Sequence, residues 1–508
     1  MAKKRDDRAK EKKIRPDQEC NLDGDYLSPI RSFRDLTFEN IKTVISHSRY
    51  VQILISLTSI GFFLRFYNLG FNSLWLDEAA TLNFAKLSII GIWNLTSGGE
   101  YNPPLFHWVE HFMLFFGTTE IILRFIPALL GILTIPLFYL IGKETLDRNA
   151  GILAAALLTF SPFHLFYSQE ARAYSMVLFF MSLALLFYLI AFRTNAKKFW
   201  ALFGIFSALA FWTHFYSAII IGTIILFTIL MKAKKSGGNV SDLKPILISL
   251  IAFICLCLPL LIVTVRLFFV RTSSSPTYGI QGIGIITESI QQFFGYNIYS
   301  AIIFSILLLL GLIQILKSDK TKFCLFLAII IMTFLVSWGL SYKMPMLPRY
   351  LIFMLPIIYS AVAAAYRPIY TLFNNHSVIY IFIAAIILIA TPYMITYYSS
   401  FSKEDWRGLS KSIESITKDG DIVVLAPGYI SQPFDYYYSN TTDKTIEFGA
   451  NTKNDLENIS SAKGNSSVFI IVTSDIYAED PGGGSLEYLN GNATFVGQTT
   501  GINVFVVK

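Results

Sequence analysis

Charge is scarce in this chain: only 15% of its 508 residues are Asp, Glu, Lys or Arg, where an ordinary globular domain carries about a quarter. That shortage excludes a disordered, collagen-like or coiled-coil chain and argues against a water-soluble enzyme. Cysteine is scarce as well, with Cys20, Cys255, Cys257 and Cys324 alone. The last three lie inside apolar runs, where a thiol behaves as a small hydrophobe. Cys255-x-Cys257 has neither the spacing nor the partners of a zinc site, so no disulfide or zinc framework is expected. No short cleavable leader is expected either. The first fifty residues are charged and the first apolar stretch begins near Tyr50, so the first span is expected to be retained as an anchor.

What is present is apolar: 54% of the residues are hydrophobic and 15% aromatic. At roughly 20 residues per membrane crossing, the runs at 51–69, 124–142, 150–167, 174–192, 199–213, 215–231, 245–265, 301–316, 323–341, 351–366 and 377–396 predict eleven spans. The run 105–116 carries Glu110, His107 and His111 and is expected to lie in the interface plane. Leaving it out of the count puts Lys143/Arg148, Arg193/Lys197/Lys198, Lys232/Lys234/Lys235/Lys244, Lys317/Lys320/Lys322 and Arg367 on one side. That side is the cytoplasm by the positive-inside rule. The net charge of +7 is thus concentrated in topology signals and in an N-terminal cluster from Lys3 to Arg15, and no nucleic-acid partner is expected. Segments 70–123, 266–300, 342–350 and the C-terminus fall on the outer side. Asn-x-Ser/Thr sequons at Asn94, Asn440, Asn458, Asn465 and Asn492 fall there too, and one at Asn239 falls inside. Arg65, inside the first span, reads as a snorkelling anchor.

After Tyr398 the composition becomes that of a small soluble α/β unit. Trp406, Leu409, Ile413 and Ile416 form one helical stripe, and 422–425, 467–473 and 502–507 read as strands around the turn Pro481-Gly-Gly-Gly484. The domains expected are a basic cytoplasmic tail (1–49), a transmembrane domain (50–398) with a first outer loop at 70–123, and an external domain (399–508).

In so apolar a chain, ionisable residues at span ends are functional candidates, and they gather on the outer side. Asp77-Glu78 follow the first span, and Glu100 to Leu105 lies later in the same loop, which Arg124 closes. Tyr167 to Tyr174 contains Glu170 and Arg172, and Arg349-Tyr350 precedes the tenth span. His214 reads as a packing residue. Carboxylates can deprotonate an acceptor or hold a metal, and arginines suit a lipid-linked phosphate.

The order Leu76-Asp77-Glu78-Ala79, Asn102-Pro103-Pro104-Leu105, Leu123-Arg124-Phe125, Tyr167 to Tyr174 and Pro348-Arg349-Tyr350 resembles the protein O-mannosyltransferase and aminoarabinose transferase superfamily. The resemblance implies a polytopic α-helical membrane protein of the glycosyltransferase-C type. It would take a sugar from a polyprenyl- or dolichyl-phosphate carrier and pass it to a protein, lipid or glycan acceptor at the outer face of the cell membrane. It implies Asp77 as the catalytic base, with Glu78 in the same pocket. Arg124, Arg172, Arg349 and Tyr350 would bind the donor phosphate. Glu100 and Glu170 stand near positions that hold a divalent metal in relatives, Glu100 one residue out of place, and no organic cofactor is implied. Asn102 departs from the mannosyltransferase pattern, which has His there. A transporter or flippase for a lipid-linked saccharide is the alternative. The lack of an internal repeat and the one-sided polar residues weigh against it.

Overall fold

The computed structural model describes residues 38–100, 102–236, 243–438 and 445–507. Residues 1–37 of the basic tail, with Cys20, and the sequons at Asn239 and Asn440 lie outside the described residues. Most of the described chain is helical. Among the described residues eight helices are long and apolar enough to cross a membrane, and nine if the bent pair Arg148–Thr159 and Pro162–Ser168 is one span. The sequence predicts eleven. The difference lies in Arg49–Phe66, which carries arginines near both ends, and Lys197–Thr213, which is 17 residues long.

Arg65 is not a snorkelling anchor. It is fully buried and donates to the carbonyls of Gly61, Leu158 and Thr159, with a ring nitrogen of His164 at 2.8 Å. The reason is Pro162, which has no N–H to offer the Leu158 carbonyl. The guanidinium ties off the carbonyls exposed at that 58° bend. Elsewhere the helices pack closely where side chains are small. A Cβ on Gly311 would fall 1.7 Å from the Ala361 carbonyl oxygen, so helices Ile298–Ser318 and Leu355–Ala364 meet backbone to backbone.

The chain separates its polar ends as the loop charges require. At one end Arg193 pairs with Glu144 at 3.0 Å, Arg367 pairs with Asp147 at 3.0 Å, and Lys322 donates to the Glu144 carbonyl. These residues all come from the loops assigned to one side. At the other end the first outer loop folds into three short helices, Leu76–Ala85, Ile89–Gly98 and Leu105–Met113. None is long enough to span. The last buries Phe106, His107 and Glu110 on one face and exposes Phe112, as a helix lying along the bundle does.

The C-terminal residues form a five-stranded sheet, β1 (Asp421–Ala426), β2 (Thr445–Gly449), β3 (Val468–Thr473), β4 (Thr494–Thr499) and β5 (Ile502–Val507), in the order β2-β1-β3-β5-β4. β1 runs parallel to both β2 and β3, and β5 lies antiparallel to β3 and β4. β1 and β3 are buried along their whole length, which explains their unbroken apolar runs. The sheet is covered on one face by helix Trp406–Ile416 and on the other by Leu456, Tyr488 and Leu489. The sequence reading missed β2 and β4, whose side chains are mostly exposed and alternate poorly. The glycine turn at 481–484 leads into a helix, Gly484–Asn492, ahead of β4.

Candidate active site

The outer loop, the turn after Ser168, the 3₁₀ helix Pro348–Met354 and the C-terminal domain enclose a cavity of about 820 Å³. Its geometry starts at Trp75, which caps helix Leu76–Ala85 and places Asp77 and Glu78 in the first turn. Carboxylates are favoured there by the helix dipole. Successive helical residues point about 100° apart, so the two acids diverge. Asp77 lines the cavity with 27% of its side chain exposed, whereas Glu78 turns inward and is fully buried.

Asp77 faces two arginines. Its carboxylate is 3.5 Å from Arg349 and 3.8 Å from Arg172. Arg172 also donates to the Asp77 carbonyl and the Thr81 hydroxyl, which fixes it along the helix. Arg349 lies over the rings of Trp75, Tyr174 and Tyr350 at 5.6 to 6.0 Å. Such contacts hold a guanidinium flat without consuming its donors. Tyr350 lines the cavity and stacks on Tyr216, with His214 beside it. Burial and then the nearby Arg172 and Arg349 push the His214 imidazole down to about 3, so it is a neutral ring in this wall.

Glu78 and Arg124 are occupied elsewhere. Arg124 Nε and Nη2 meet Glu78 Oε1 and Oε2 at 2.8 and 2.7 Å, and the same guanidinium donates to the carbonyls of Leu69, Asn72 and Ser73. Glu78 also accepts from the Ala171 N–H at 2.8 Å and lies 3.1 Å from Lys403. Burial would raise the Glu78 carboxyl, but Arg124, Lys403 and these hydrogen bonds outweigh it and hold the group at about 2. Neither Glu78 nor Arg124 lines the cavity. They form a buried clamp behind Asp77 that ties the outer loop to helix Glu120–Thr145.

Of the two residues named for a metal, Glu100 lines the cavity and Glu170 does not. Glu100 accepts from the Asn102 backbone and side-chain amides at 3.3 and 2.9 Å. Glu170 is fully buried outside the cavity lining, and burial raises its carboxyl despite the opposing field of Lys403. Among the described residues no group of three His, Cys, Asp or Glu stands together to hold a metal.

The cavity also contains residues that sequence reasoning did not single out. Arg271, at the end of helix Lys244–Arg271, donates to the carbonyls of Gly99 and Glu100. Glu404, Tyr429, Asp475 and Glu479 come from the C-terminal domain and line the wall nearest to it. Burial raises the Glu404 and Asp475 carboxyls, and the field of Asp77 adds to it. The arginines of the cavity, Arg172, Arg271 and Arg349, all come from the membrane domain, whereas its carboxylates come from both domains. A separate groove of about 540 Å³ between helices Ile298–Ser318 and Ser377–Ser399 carries no ionisable group, and we assign it no chemistry.

Comparison with known proteins bears on this arrangement. Residues 101–262 match the dolichyl-phosphate-mannose-protein mannosyltransferase family. An uncharacterized protein of Aquifex aeolicus (strain VF5) is 30% identical over 189 residues, 34% of this chain and 36% of that protein. The chain thus matches little more than a third of that relative's length. Two solved structures are similar over most of the chain. Apo ArnT from Cupriavidus metallidurans has a TM-score of 0.58 at 12% identity, covering 90% of this chain and 97% of that one. The Archaeoglobus fulgidus oligosaccharyltransferase in complex with zinc and sulfate has 0.57 at 14%, covering 89% and 72%. At such identities it is the fold that is shared: this is a multi-pass helical membrane protein of the glycosyltransferase-C fold with a small C-terminal α/β domain.

Proposed function

We propose that this protein is a membrane glycosyltransferase that takes a sugar from a polyprenyl- or dolichyl-phosphate carrier and passes it to an acceptor hydroxyl, with inversion. The observation that carries the reading is Asp77, a carboxylate at the wall of the cavity, with Arg172 and Arg349 both within 4 Å. Two similar structures support the donor class, since ArnT has been solved with undecaprenyl phosphate and the archaeal oligosaccharyltransferase AglB with a dolichol-phosphate and an inhibitory peptide.

The chemistry follows from the residues. Asp77 accepts the proton of the acceptor hydroxyl as its oxygen attacks the anomeric carbon from the face opposite the phosphate. The bond between that carbon and the phosphate oxygen breaks, and the polyprenyl phosphate leaves with the electron pair. Arg172 and Arg349 stabilise the charge developing on it. Tyr350 and Trp75 give the sugar and the arginine a flat wall. Glu78 and Arg124 hold the loop that carries Asp77. The cavity belongs to the outer side of the cell membrane in this reading.

The test is transfer by the purified protein in detergent, using dolichyl- and undecaprenyl-phosphate-linked hexoses and pentoses beginning with dolichyl-phosphate mannose. Asp77→Asn keeps the size and the loop while removing the base. It should lower kcat by about 10²–10⁴-fold and leave binding of undecaprenyl phosphate in place. Near-normal transfer by that variant would sink the assignment. A wild-type protein that consumes none of these donors would leave the translocation of a lipid-linked saccharide as the better account.

A further inference from the structure

Lys403 lies in the short segment joining the last membrane helix to the C-terminal domain, yet its side chain is only 4% exposed. A lysine so buried needs partners. Its Nζ is 3.1 Å from Glu78 Oε2 and lies over the rings of Trp75 and Phe166 at 5.9 and 5.5 Å. Glu170 is a second carboxylate in its field, fully buried and with neither oxygen in a hydrogen bond among the described residues.

The Trp75 indole that meets Lys403 is the same one that lies within 5.6 Å of Arg349. It caps the helix whose first turn carries Asp77. The residues flanking Lys403 reach the same loop. The Ser402 N–H donates to Asn72 Oδ1 at 3.0 Å, the Arg407 N–H donates to Ser73 Oγ at 3.1 Å, and Glu404 lines the cavity. One short stretch of the C-terminal segment thus touches the back of the Asp77 loop and the front of the pocket.

We propose that Lys403 is a positioning residue for the transfer reaction: through Glu78 and Trp75 it fixes Asp77 against Arg349, and it makes the chemistry depend on docking of the C-terminal domain. The inference rests on the function proposed above. Lys403 itself does not line the cavity, so it acts through its neighbours. A purely structural lysine would only balance the charge of Glu78 and Glu170, and the two roles part in a double variant.

Lys403→Met alone leaves Glu170 buried without its cation and should lower the melting temperature in detergent. Lys403→Met with Glu170→Gln removes both charges and should recover most of that temperature. If Lys403 positions the site, kcat of the double variant with the donor that wild type uses stays about 100-fold down, the scale of a 1 Å misplacement, and KM stays within about twofold. Recovery of kcat together with melting temperature would overturn the proposal. Should the double variant fail to fold, Lys403→Arg keeps the charge but moves its centre. A wild-type melting temperature with kcat about tenfold down supports positioning, and wild-type kcat overturns it. Failure of the underlying function is separately visible, because the wild-type protein would then transfer no sugar.

Discussion

The buried clamp between Glu78 and Arg124 makes a quantitative claim about stability. Replacing Glu78 by Gln removes one charge and puts an amide where an oxygen now accepts from Arg124 at 2.7 Å. Arg124 and Lys403 are then left buried without their shared anion. The magnitude follows from the carboxyl itself, held at about 2 against 4.5 in a free chain. At 1.36 kcal/mol per pH unit that is about 3 kcal/mol. Breaking a buried ion pair from one side costs roughly 3–5 kcal/mol in general, so the two figures agree. The sign is fixed as well. A depressed carboxyl contributes its stability fully above pH 4.5 and loses it as the pH falls toward 2. Unfolding in mixed micelles, followed by tryptophan fluorescence, should show the variant about 3 kcal/mol less stable at pH 7. The gap between the two proteins should narrow between pH 4.5 and 2. Arg124→Met in a double-mutant cycle should recover a coupling of at least about 1 kcal/mol. A loss below about 1 kcal/mol at pH 7, within the usual scatter of a point substitution, or a gap that stays constant with pH, would refute the clamp.

Two further predictions concern the C-terminal domain. Glu120 accepts from Arg407 and from the Tyr437 hydroxyl, and Tyr437 also receives the Leu74 N–H at 2.8 Å. Glu120→Ala should loosen domain docking by about 2–3 kcal/mol, the scale of hydrogen bonds to a charged group. Limited proteolysis should then cut near residues 399–405 faster than in wild type, and unchanged cleavage would count against this interface. On β2, burial and then the Asp435 carboxyl raise Glu447 to about 7. A raised carboxyl gives its stability below pH 4.5 and loses it as the pH climbs through 7. Glu447→Gln should therefore raise the melting temperature of this domain at pH 8 and leave it unchanged at pH 4.

The features legible in the sequence were those that repeat along it. Apolar runs located the membrane helices, and basic clusters marked one polar end, where the structure pairs Arg193 with Glu144 and Arg367 with Asp147. The buried strands β1 and β3 were visible for the same reason, as unbroken apolar runs. What stayed hidden depends on contacts between distant segments. Nothing near Lys403 in the chain distinguishes it from an ordinary linker lysine, because its partners Glu78, Trp75 and Phe166 all come from the membrane domain. Arg65 looked like an anchor because the broken helix at Pro162 that needs its donors is distant in sequence.

Asp77 and Glu78 show most directly where a linear reading fails. Side by side they look like one acidic pair, and the family resemblance implies a single pocket for both. A helix cannot keep them together, since each step along it turns the side chain by about 100°. Once Arg172 and Arg349 meet Asp77, the same rotation carries Glu78 into the protein, where a buried carboxylate must find a cation. Arg124 is that cation, and its three further bonds to the carbonyls of Leu69, Asn72 and Ser73 pin the loop from which Asp77 projects. The acid that cannot reach the cavity thereby orients the one that can. Asp77→Asn and Glu78→Gln should consequently fail differently: the first in kcat with normal stability, the second in stability first, with kcat lost because Asp77 is no longer held.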